Sequence, residues 1–281
     1  MNREEIFDKI AVAYVRRPVK NMGEGVSPAV GIPDVERALL QHEQYCEALR
    51  RCGVDVVTVP SDPEFPDGSF MGDMAVVADN VAVLGNFTDD NPRQGEQRSA
   101  AEMLAGGKFM RFVTAPGRLD AGDVLQINDR FYIGVSDHTN TEGAAQLAFF
   151  LKEYGHEATV IDMDGDVSFR LKSAVTYLGR DRVLIREELE RHYAFLEYEK
   201  IVVPSSEKKA ANALVVNGTV LLPAGCPLTA RKLADLDIPV IEVNVSEFEK
   251  MNGGLSCLSL RVPKTAQGNV VQLPTRGKKT A

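Results

Sequence analysis

The sequence predicts an α/β protein whose chain repeats one structural unit five times around a ring. Three observations support this prediction. Four alternating apolar stretches flank short polar turns, and the turns recur at intervals of roughly 40 to 50 residues, a period typical of a propeller or an array. An apolar strand follows each of these hairpins, in most cases after a helical pattern. The two ends of the chain supply the parts of a fifth unit.

The first unit combines both ends of the chain. Near the N-terminus the chain reads as a strand, a helix and a strand: "KIAVAYVRRP", "DVERALLQHEQYCEALRRCG" and "VDVVTVP". The C-terminal stretch "GGLSCLSLRV" can pair with the first of these strands. This pairing would close the ring and leave no free strand edge, which a cyclic β architecture requires.

Each of the other four units begins with a β-hairpin, because apolar alternation flanks a short polar turn. The hairpins are "AVVADNVAVLG", "DVLQINDRFYIGV", "AVTYLGRDRVLI" and "ALVVNGTVLLP", with turns near Asn80, Asn128, Arg180 and Asn217. Helical patterns follow the second, third and fourth hairpins: "TEGAAQLAFFLKEYG", "EELERHYAFLEY" and "PLTARKLADLD". The closing strands are "RFVTAP", "EATVIDM", "EKIVVP" and "IPVIEVN". The unit is therefore strand, strand, helix, strand.

Length and composition are those of an ordinary globular protein. The chain has 281 residues, of which 44% are hydrophobic and 26% are charged, enough to bury a full core. The length alone leaves open two small domains or one large α/β domain. The closed ring favours one domain over residues 1–264. The basic cluster "RGKKTA" at the C-terminus predicts a flexible tail over residues 265–281.

Charge and cysteine usage exclude several classes of partner. The net charge of -8 argues against binding to nucleic acid or anionic lipid, both of which need clustered Lys and Arg. The N-terminus has no apolar stretch long enough for a signal peptide or a membrane span. The four cysteines form no cluster at metal-ligand spacing, which predicts no metal site and a reducing, cytoplasmic location. A homodimer is left open.

The segments between the units are expected to meet at one end of the ring. They are "PSDPEFPDGSFMGD", "PGRLDAGD", "DGDVSFRLKS", "PSSEKKAAN" and "SEFEKMNGGLSC". Equivalent units place these segments around the axis, and they would bring six side chains toward a common pocket: Asp67, Asp73, Asp120, Arg170, Asn212 and Cys257. Cys257 therefore occupies a position typical of a functional loop.

Four motifs in this part of the sequence carry a family resemblance. In order they read "LDAGDVL", "LKSAVTYLG", "AANALVVNGTVLLP" and "SEFEKMNGGLSCLSL". In order and spacing they resemble the dimethylarginine dimethylaminohydrolase branch of the guanidino-group-modifying enzymes, and the resemblance extends from "VRRP" to "SLRV". It implies a five-bladed α/β propeller with pseudo-fivefold symmetry, which matches the ββαβ unit, and chemistry without metal or organic cofactor.

The resemblance also implies roles for individual residues. Cys257 falls at the family's nucleophile, which attacks the guanidinium carbon and forms a covalent thiouronium intermediate. Asp120 falls at the carboxylate that holds the guanidinium and orients the catalytic histidine, and Asp73 falls at a second guanidinium-binding carboxylate. Asp67 and Arg93 match positions that bind the amino-acid end of the substrate.

The sequence departs from the family pattern at three positions. Arg170 stands where the family has its catalytic histidine, Gly72 replaces a carboxylate before Asp73, and His138 replaces an arginine that binds the substrate α-carboxylate. Arginine cannot exchange a proton near neutral pH. Arg170 can instead stabilise a thiolate at Cys257 or an anion on the substrate. His138 is an alternative source of imidazole, although a capping or surface role fits it equally well.

Two functions remain in competition at this level. The first is a cysteine-dependent hydrolase of a C–N bond in a small guanidino or amidino substrate, diverged from dimethylarginine hydrolysis. The second is a catalytically altered propeller that binds a small cationic ligand or a partner. The retained cysteine and acids favour the enzyme, because a protein that only binds has no evident use for a nucleophile beside two carboxylates.

Overall fold

Five small sheets make up the β structure of the protein. A computed structural model describes residues 9–25, 30–87, 91, 93–105, 109–163 and 169–264, so the tail predicted over residues 265–281 lies outside the described residues. Every sheet has three strands. In each one, the middle strand pairs antiparallel with one neighbour and parallel with the other. This pairing is the predicted ββαβ unit.

The elements follow one another as repeated blades. Blade by blade, the strands are β15 (Leu260–Pro263), β1 (Ile10–Arg16) and β2 (Asp55–Val59); β3 (Ala75–Val77), β4 (Val81–Leu84) and β5 (Phe109–Phe112); β6 (Val124–Ile127), β7 (Arg130–Val135) and β8 (Glu157–Asp162); β9 (Val175–Gly179), β10 (Arg182–Ile185) and β11 (Glu199–Val202); β12 (Leu214–Val216), β13 (Thr219–Pro223) and β14 (Val240–Val243). The α-helices are α1 (Val35–Arg51), α2 (Gln97–Leu104), α3 (Thr141–Glu153), α4 (Pro227–Ala234) and α5 (Ser246–Glu249). The first and last strands pair as predicted, with β15 antiparallel to β1.

The hairpin turns use residues that tolerate a left-handed backbone. Asn128 has φ of 53°, and the turn between β12 and β13 has φ of 49° at Asn217 and 86° at Gly218. Asn and Gly adopt this conformation at low cost, which suits the tight turns of twisted hairpins. The Asn217 side chain also accepts a hydrogen bond from the Ile10 amide at 2.9 Å. This turn therefore ties the fifth blade to the first.

The helices of the structure differ from the predicted ones in the fourth blade and in the second. The pattern "EELERHYAFLEY" forms two 3-10 turns, Glu187–Leu189 and Tyr193–Phe195, instead of one α-helix. The His192 side chain accepts a hydrogen bond from the Ala194 amide, which starts the second turn and separates it from the first. Conversely, α2 was not predicted, because no start signal marks its eight residues, whereas α4, which is equally short, begins with Pro.

Five apolar clusters hold neighbouring blades together around the ring. They join the fifth blade to the first (represented by Val216 and Ala13), the first to the second (Tyr14 and Leu84), the second to the third (Val83 and Ile133), the third to the fourth (Ile161 and Val183) and the fourth to the fifth (Leu184 and Leu222). Adjacent residues of a middle strand, such as Val83 and Leu84, belong to different clusters because successive side chains point to opposite faces. The fold is therefore a five-bladed α/β propeller.

Four 3-10 turns lie at one end of the ring, each just before the first strand of a blade. They are Met71–Asp73, Ala121–Asp123, Leu171–Ser173 and Ser205–Ala211, and the loop of residues 253–257 takes the same place before β15. This arrangement places the loops predicted for the site around one axis. Among the helices in the described ranges, none is long and apolar enough to cross a membrane.

Candidate active site

The loops that precede the blades contact one another directly. The Gly72 amide donates a hydrogen bond to the Cys257 carbonyl at 2.7 Å. Arg170 Nε donates to Asp120 Oδ2 at 2.7 Å. Electrostatic interactions of Cys257 with Asp73 and Arg170 connect these two pairs. Asp73, Asp120, Arg170 and Cys257, which the sequence assigns to four separate loops, therefore surround one site.

Glycines allow the Cys257 loop to pass close to its neighbours. A Cβ at Gly253 would collide with the Phe70 ring, and one at Gly254 would collide with the Asn212 side chain. Asn212 Oδ1 accepts a hydrogen bond from the Ser256 amide at 3.1 Å. Asn212 therefore anchors the backbone just before the cysteine.

The Cys257 thiol is buried, and its surroundings favour the protonated form near pH 7. Burial and the charge of Asp73 raise its pKa to about 11, although Arg170, the hydrogen bond to Gly254 and Lys172 all act to lower it. Arg170 thus favours the thiolate, as expected from the sequence, but burial outweighs it. A reaction at this sulfur needs a ligand or a base that removes the proton.

Asp120 and Arg170 form a buried ion pair. Asp120 Oδ1 also accepts a hydrogen bond from the Gly122 amide at 2.7 Å. Burial would raise the pKa of Asp120, but Arg170, Arg93 and the Gly122 amide hold it below its usual value. Burial acts to lower the pKa of Arg170, but Asp120, Asp73 and Cys257 raise it further above its usual value. Both side chains therefore remain charged.

Asp73 belongs to a second buried ion pair. Arg93 donates hydrogen bonds to Asp73 Oδ2 at 3.3 Å, to Glu96 Oε2 at 3.0 Å and to the Phe70 carbonyl at 3.1 Å. The Arg93 side chain is only 6% exposed. Arg93 therefore faces protein carboxylates in this structure, and its role toward a substrate stays a prediction.

The remaining predicted residues differ in their access to solvent. Asp67 is buried, and its carboxylate lies so close to Gly25 that a side chain there would collide with it. His138 is exposed and interacts electrostatically with Arg170 and Asp120. Partial desolvation and the charge of Arg170 lower the pKa of His138. Its imidazole is therefore neutral near pH 7 and can accept or donate a proton.

Two further residues at the site were not predicted. Lys172 Nζ donates to the Gly72 carbonyl at 3.2 Å, and burial and the charge of Arg261 lower its pKa. Its position two residues after Arg170 on one short turn was the available signal. Asp123 accepts hydrogen bonds from Ser136 Oγ at 2.6 Å and Thr139 Oγ1 at 2.8 Å. It is the second acid of "LDAGD", three positions after Asp120.

A small cavity lies beside the cysteine and a larger one lies beyond it. The first, of about 20 Å³, is lined by Cys257, Arg170 and Lys172 among others. The second, of about 260 Å³, lies on the other side of Lys172 and Ser256, which line both cavities. Within the described ranges, no group of three or more His, Cys, Asp or Glu side chains is arranged to hold a metal ion.

Comparisons with known proteins agree on one family. Residues 34–163 match the family model for eukaryotic N,N dimethylarginine dimethylhydrolase. The chain is 36% identical to the N(G),N(G)-dimethylarginine dimethylaminohydrolase of Pseudomonas aeruginosa over 88% of this chain and 97% of that protein. It is 33% identical to the protein of the same name from Streptomyces coelicolor, over 89% and 96%.

Solved structures show the same architecture. A cysteine-to-serine mutant of the Pseudomonas aeruginosa enzyme, complexed with citrulline, matches with a TM-score of 0.85 and 34% identity over 90% of this chain and 99% of that chain. The N-terminal domain of ArgZ, a cyanobacterial arginine dihydrolase, matches with a TM-score of 0.80 and 21% identity, over 91% of this chain and 98% of that chain. The second match bears on the fold alone.

Proposed function

The chain belongs to the dimethylarginine dimethylaminohydrolase family, whose members hydrolyse C–N bonds of guanidino groups, and we propose that Cys257 is its nucleophile. The observation that carries this proposal is the convergence of Cys257, Arg170 and Asp120 in one buried site. A thiol held among charged groups from other loops is the arrangement that covalent catalysis at an sp2 carbon requires. Cys46 lies within α1 and Cys226 lies just before α4, so neither belongs to the loops that meet at this site.

The proposed reaction has two steps. Cys257 Sγ attacks the central carbon, the C–S bond forms, and the C–N bond breaks with loss of an amine. Water then adds to the thiouronium carbon and the C–S bond breaks, which leaves a ureido product and the free thiol. Because the pKa of the thiol is raised to about 11, the substrate or a neighbouring base must take its proton as attack begins.

Arg170 has a different role from the histidine that the family uses. Its charge is fixed by Asp120, so it can stabilise negative charge at the sulfur or on the substrate, but it cannot carry a proton. His138 is exposed and interacts electrostatically with Arg170 and Asp120, and it is assigned to proton transfer with solvent. We therefore expect weak hydrolysis of dimethylarginine and a non-standard substrate.

One observation favours a second function, that of a propeller that binds a ligand without turnover. Arg170 occupies the histidine position and already pairs with Asp120, so the usual proton carrier is missing. A site of this kind would bind a ligand reversibly and release no product. The two functions differ in whether Cys257 forms a covalent adduct with the ligand and whether a product is released.

A substrate panel tests the proposal. Purified protein is incubated with guanidino and amidino compounds, and released amine or ammonia and ureido product are measured. Cys257→Ser is expected to reduce turnover by at least roughly a thousandfold, as removal of a nucleophile usually does. Cys52→Ser, at the end of α1, is the matched control and should retain turnover. Undiminished turnover by Cys257→Ser would show that another group is the nucleophile.

A further inference from the structure

Both acids that the resemblance assigns to the substrate guanidinium are already bound to arginines of the protein itself. Asp120 accepts from Arg170 at 2.7 Å, and Asp73 accepts from Arg93 at 3.3 Å. All four side chains are at least 87% buried, since Arg170, the most exposed of them, is 13% exposed. A guanidinium ligand would have to displace a buried charge from its partner, which is unfavourable.

The cavity beside the nucleophile has basic side chains in its lining. Arg170 and Lys172 line the cavity next to Cys257, and no carboxylate among the described residues lines it. The cavity of about 20 Å³ accepts a group no larger than one or two waters unless the site opens. Arg170 is compensated by Asp120, whereas Lys172 donates to the Gly72 carbonyl and is not paired with a carboxylate among the described residues. A cationic group that reaches Cys257 is therefore repelled by Lys172 and finds both acids already paired.

The size of this effect decides which ligands bind. Two like charges about 5 Å apart repel with an energy that reduces affinity roughly a hundredfold at an effective dielectric constant of about 20. A neutral group avoids this repulsion. A group that becomes negative during the reaction is stabilised by Arg170 and Lys172.

Building on the function proposed above, we propose that the substrate presents a neutral guanidine or amidine to Cys257. An electron-withdrawing substituent on one nitrogen, such as a nitro, sulfonyl or cyano group, keeps such a compound unprotonated near neutral pH. The substituted nitrogen is the leaving group, and Arg170 and Lys172 receive its developing negative charge. This substrate class needs no histidine as general acid, which agrees with the replacement at position 170.

The reaction balances without a further reactant. Cys257 Sγ forms the C–S bond, the C–N bond to the substituted nitrogen breaks, and the leaving nitrogen keeps the electron pair and ends with the proton of the thiol. Water then supplies the oxygen of the ureido product, and one of its protons returns to the sulfur when the C–S bond breaks. A guanidine and water become a ureido compound and the substituted amine, and an amidine and water become an amide and the substituted amine.

Two electrophiles of nearly equal shape test the preference. 2-Chloroacetamide is neutral and 2-chloroacetamidine is a cation at pH 7.5, and both alkylate thiols. The rate of labelling at Cys257 is followed for each by mass spectrometry, and the neutral-to-cation rate ratio is divided by the same ratio for glutathione. The quotient is expected to exceed one by roughly tenfold or more in the wild-type protein, given the repulsion from Lys172 and the pairing of both acids with arginines.

Variants identify the source of the preference. Arg170→Gln should lower the quotient by roughly tenfold, and Arg170→Lys should retain it. Arg186→Gln is the matched control, because the guanidinium carbon of Arg186 lies 4.3 Å from the Phe169 ring centroid and Arg186 does not line the cavity; its quotient should equal that of the wild type. If Arg170→Gln does not fold, the wild-type quotient by itself still tests whether Cys257 prefers the neutral reagent.

The outcomes separate this inference from the function on which it rests. A wild-type quotient of one or less, with Cys257 labelled, overturns the neutral-substrate proposal and leaves the nucleophile in place. Failure of both reagents to label Cys257 in folded protein overturns the nucleophile assignment, and the inference with it.

Discussion

The positive charge of Arg170 is compensated by a direct ion pair with one buried oxygen, Asp120 Oδ2. The Arg170 side chain is 13% exposed, and its hydrogen bond to Asp120 is 2.7 Å long. Removing one partner of such a pair leaves the other charged and poorly solvated, and this cost exceeds the net value of the pair itself. Stability measurements can therefore reveal the pair independently of activity.

At this scale we expect Asp120→Asn to lower the free energy of unfolding by about 1 to 3 kcal/mol, the range for an uncompensated buried polar partner. Urea unfolding at pH 7.5 measures this. Asp120→Asn/Arg170→Gln should recover part of the loss, because the second change removes the uncompensated charge. Additive losses in this double-mutant cycle would mean that the two side chains do not interact in solution.

At the scale of elements, the 3-10 turn Ala121–Asp123 contacts the turn Leu171–Ser173 through a carboxyl group. Asp123 Oδ1 accepts from the Leu171 amide at 3.2 Å. Burial and the charge of Asp120 raise the pKa of Asp123 to about 7. The position of Arg170, one residue before the second turn, thus depends on a group that titrates near neutrality.

This contact predicts a pH dependence of stability. Between about pH 4, where the carboxyl group ionises in the unfolded chain, and pH 7, the folded state binds a proton that the unfolded state does not. Stability should therefore fall as the pH rises through this window, by at most about 4 kcal/mol for a shift of this size. Asp123→Asn should remove that component of the slope in urea unfolding between pH 4.5 and 7.5.

Asp129→Asn makes the same change on an exposed turn and serves as the control. Asp123→Asn would contradict the prediction if it left the pH profile of the wild type unchanged. That result would show that the carboxyl group ionises in the folded protein at its ordinary pKa.

On the scale of the whole molecule, β15 closes the ring. Leu260 lies in β15 and is 2% exposed in the cluster between the first and second blades. Since each blade packs on two neighbours, weakening one junction should weaken all of them. We propose that the described blades unfold as one domain, in agreement with the single domain expected over residues 1–264.

Leu260→Ala tests this closure. It should lower the free energy of unfolding by about 2 to 5 kcal/mol, as buried leucine truncations do, and far-ultraviolet circular dichroism and tyrosine fluorescence should report the same single transition. Leu228→Ala, at a position that is 48% exposed, is the control and should have little effect. Two separated transitions in the wild-type protein would contradict a single domain.

The sequence determined the repeat, the hairpins and the candidate nucleophile, because these depend on local features. Apolar alternation and turn residues such as Asn217 act within a few positions of the chain, and a motif of adjacent residues identifies Cys257. The 3-10 turns of residues 187–195 were mistaken for a helix because short apolar spacings fit both structures.

Only the tertiary structure decided how the charged groups of the site are paired. Arg170 and Asp120 are 50 positions apart, and Arg93 and Asp73 are 20 apart. Residue types showed that cations and acids would meet, but not that each acid is already neutralised by an arginine. The raised pKa of Cys257 likewise follows from burial among loops of different blades. Pairing and pKa depend on distances and solvent access in the folded ring, and these distances are set by how the blades pack.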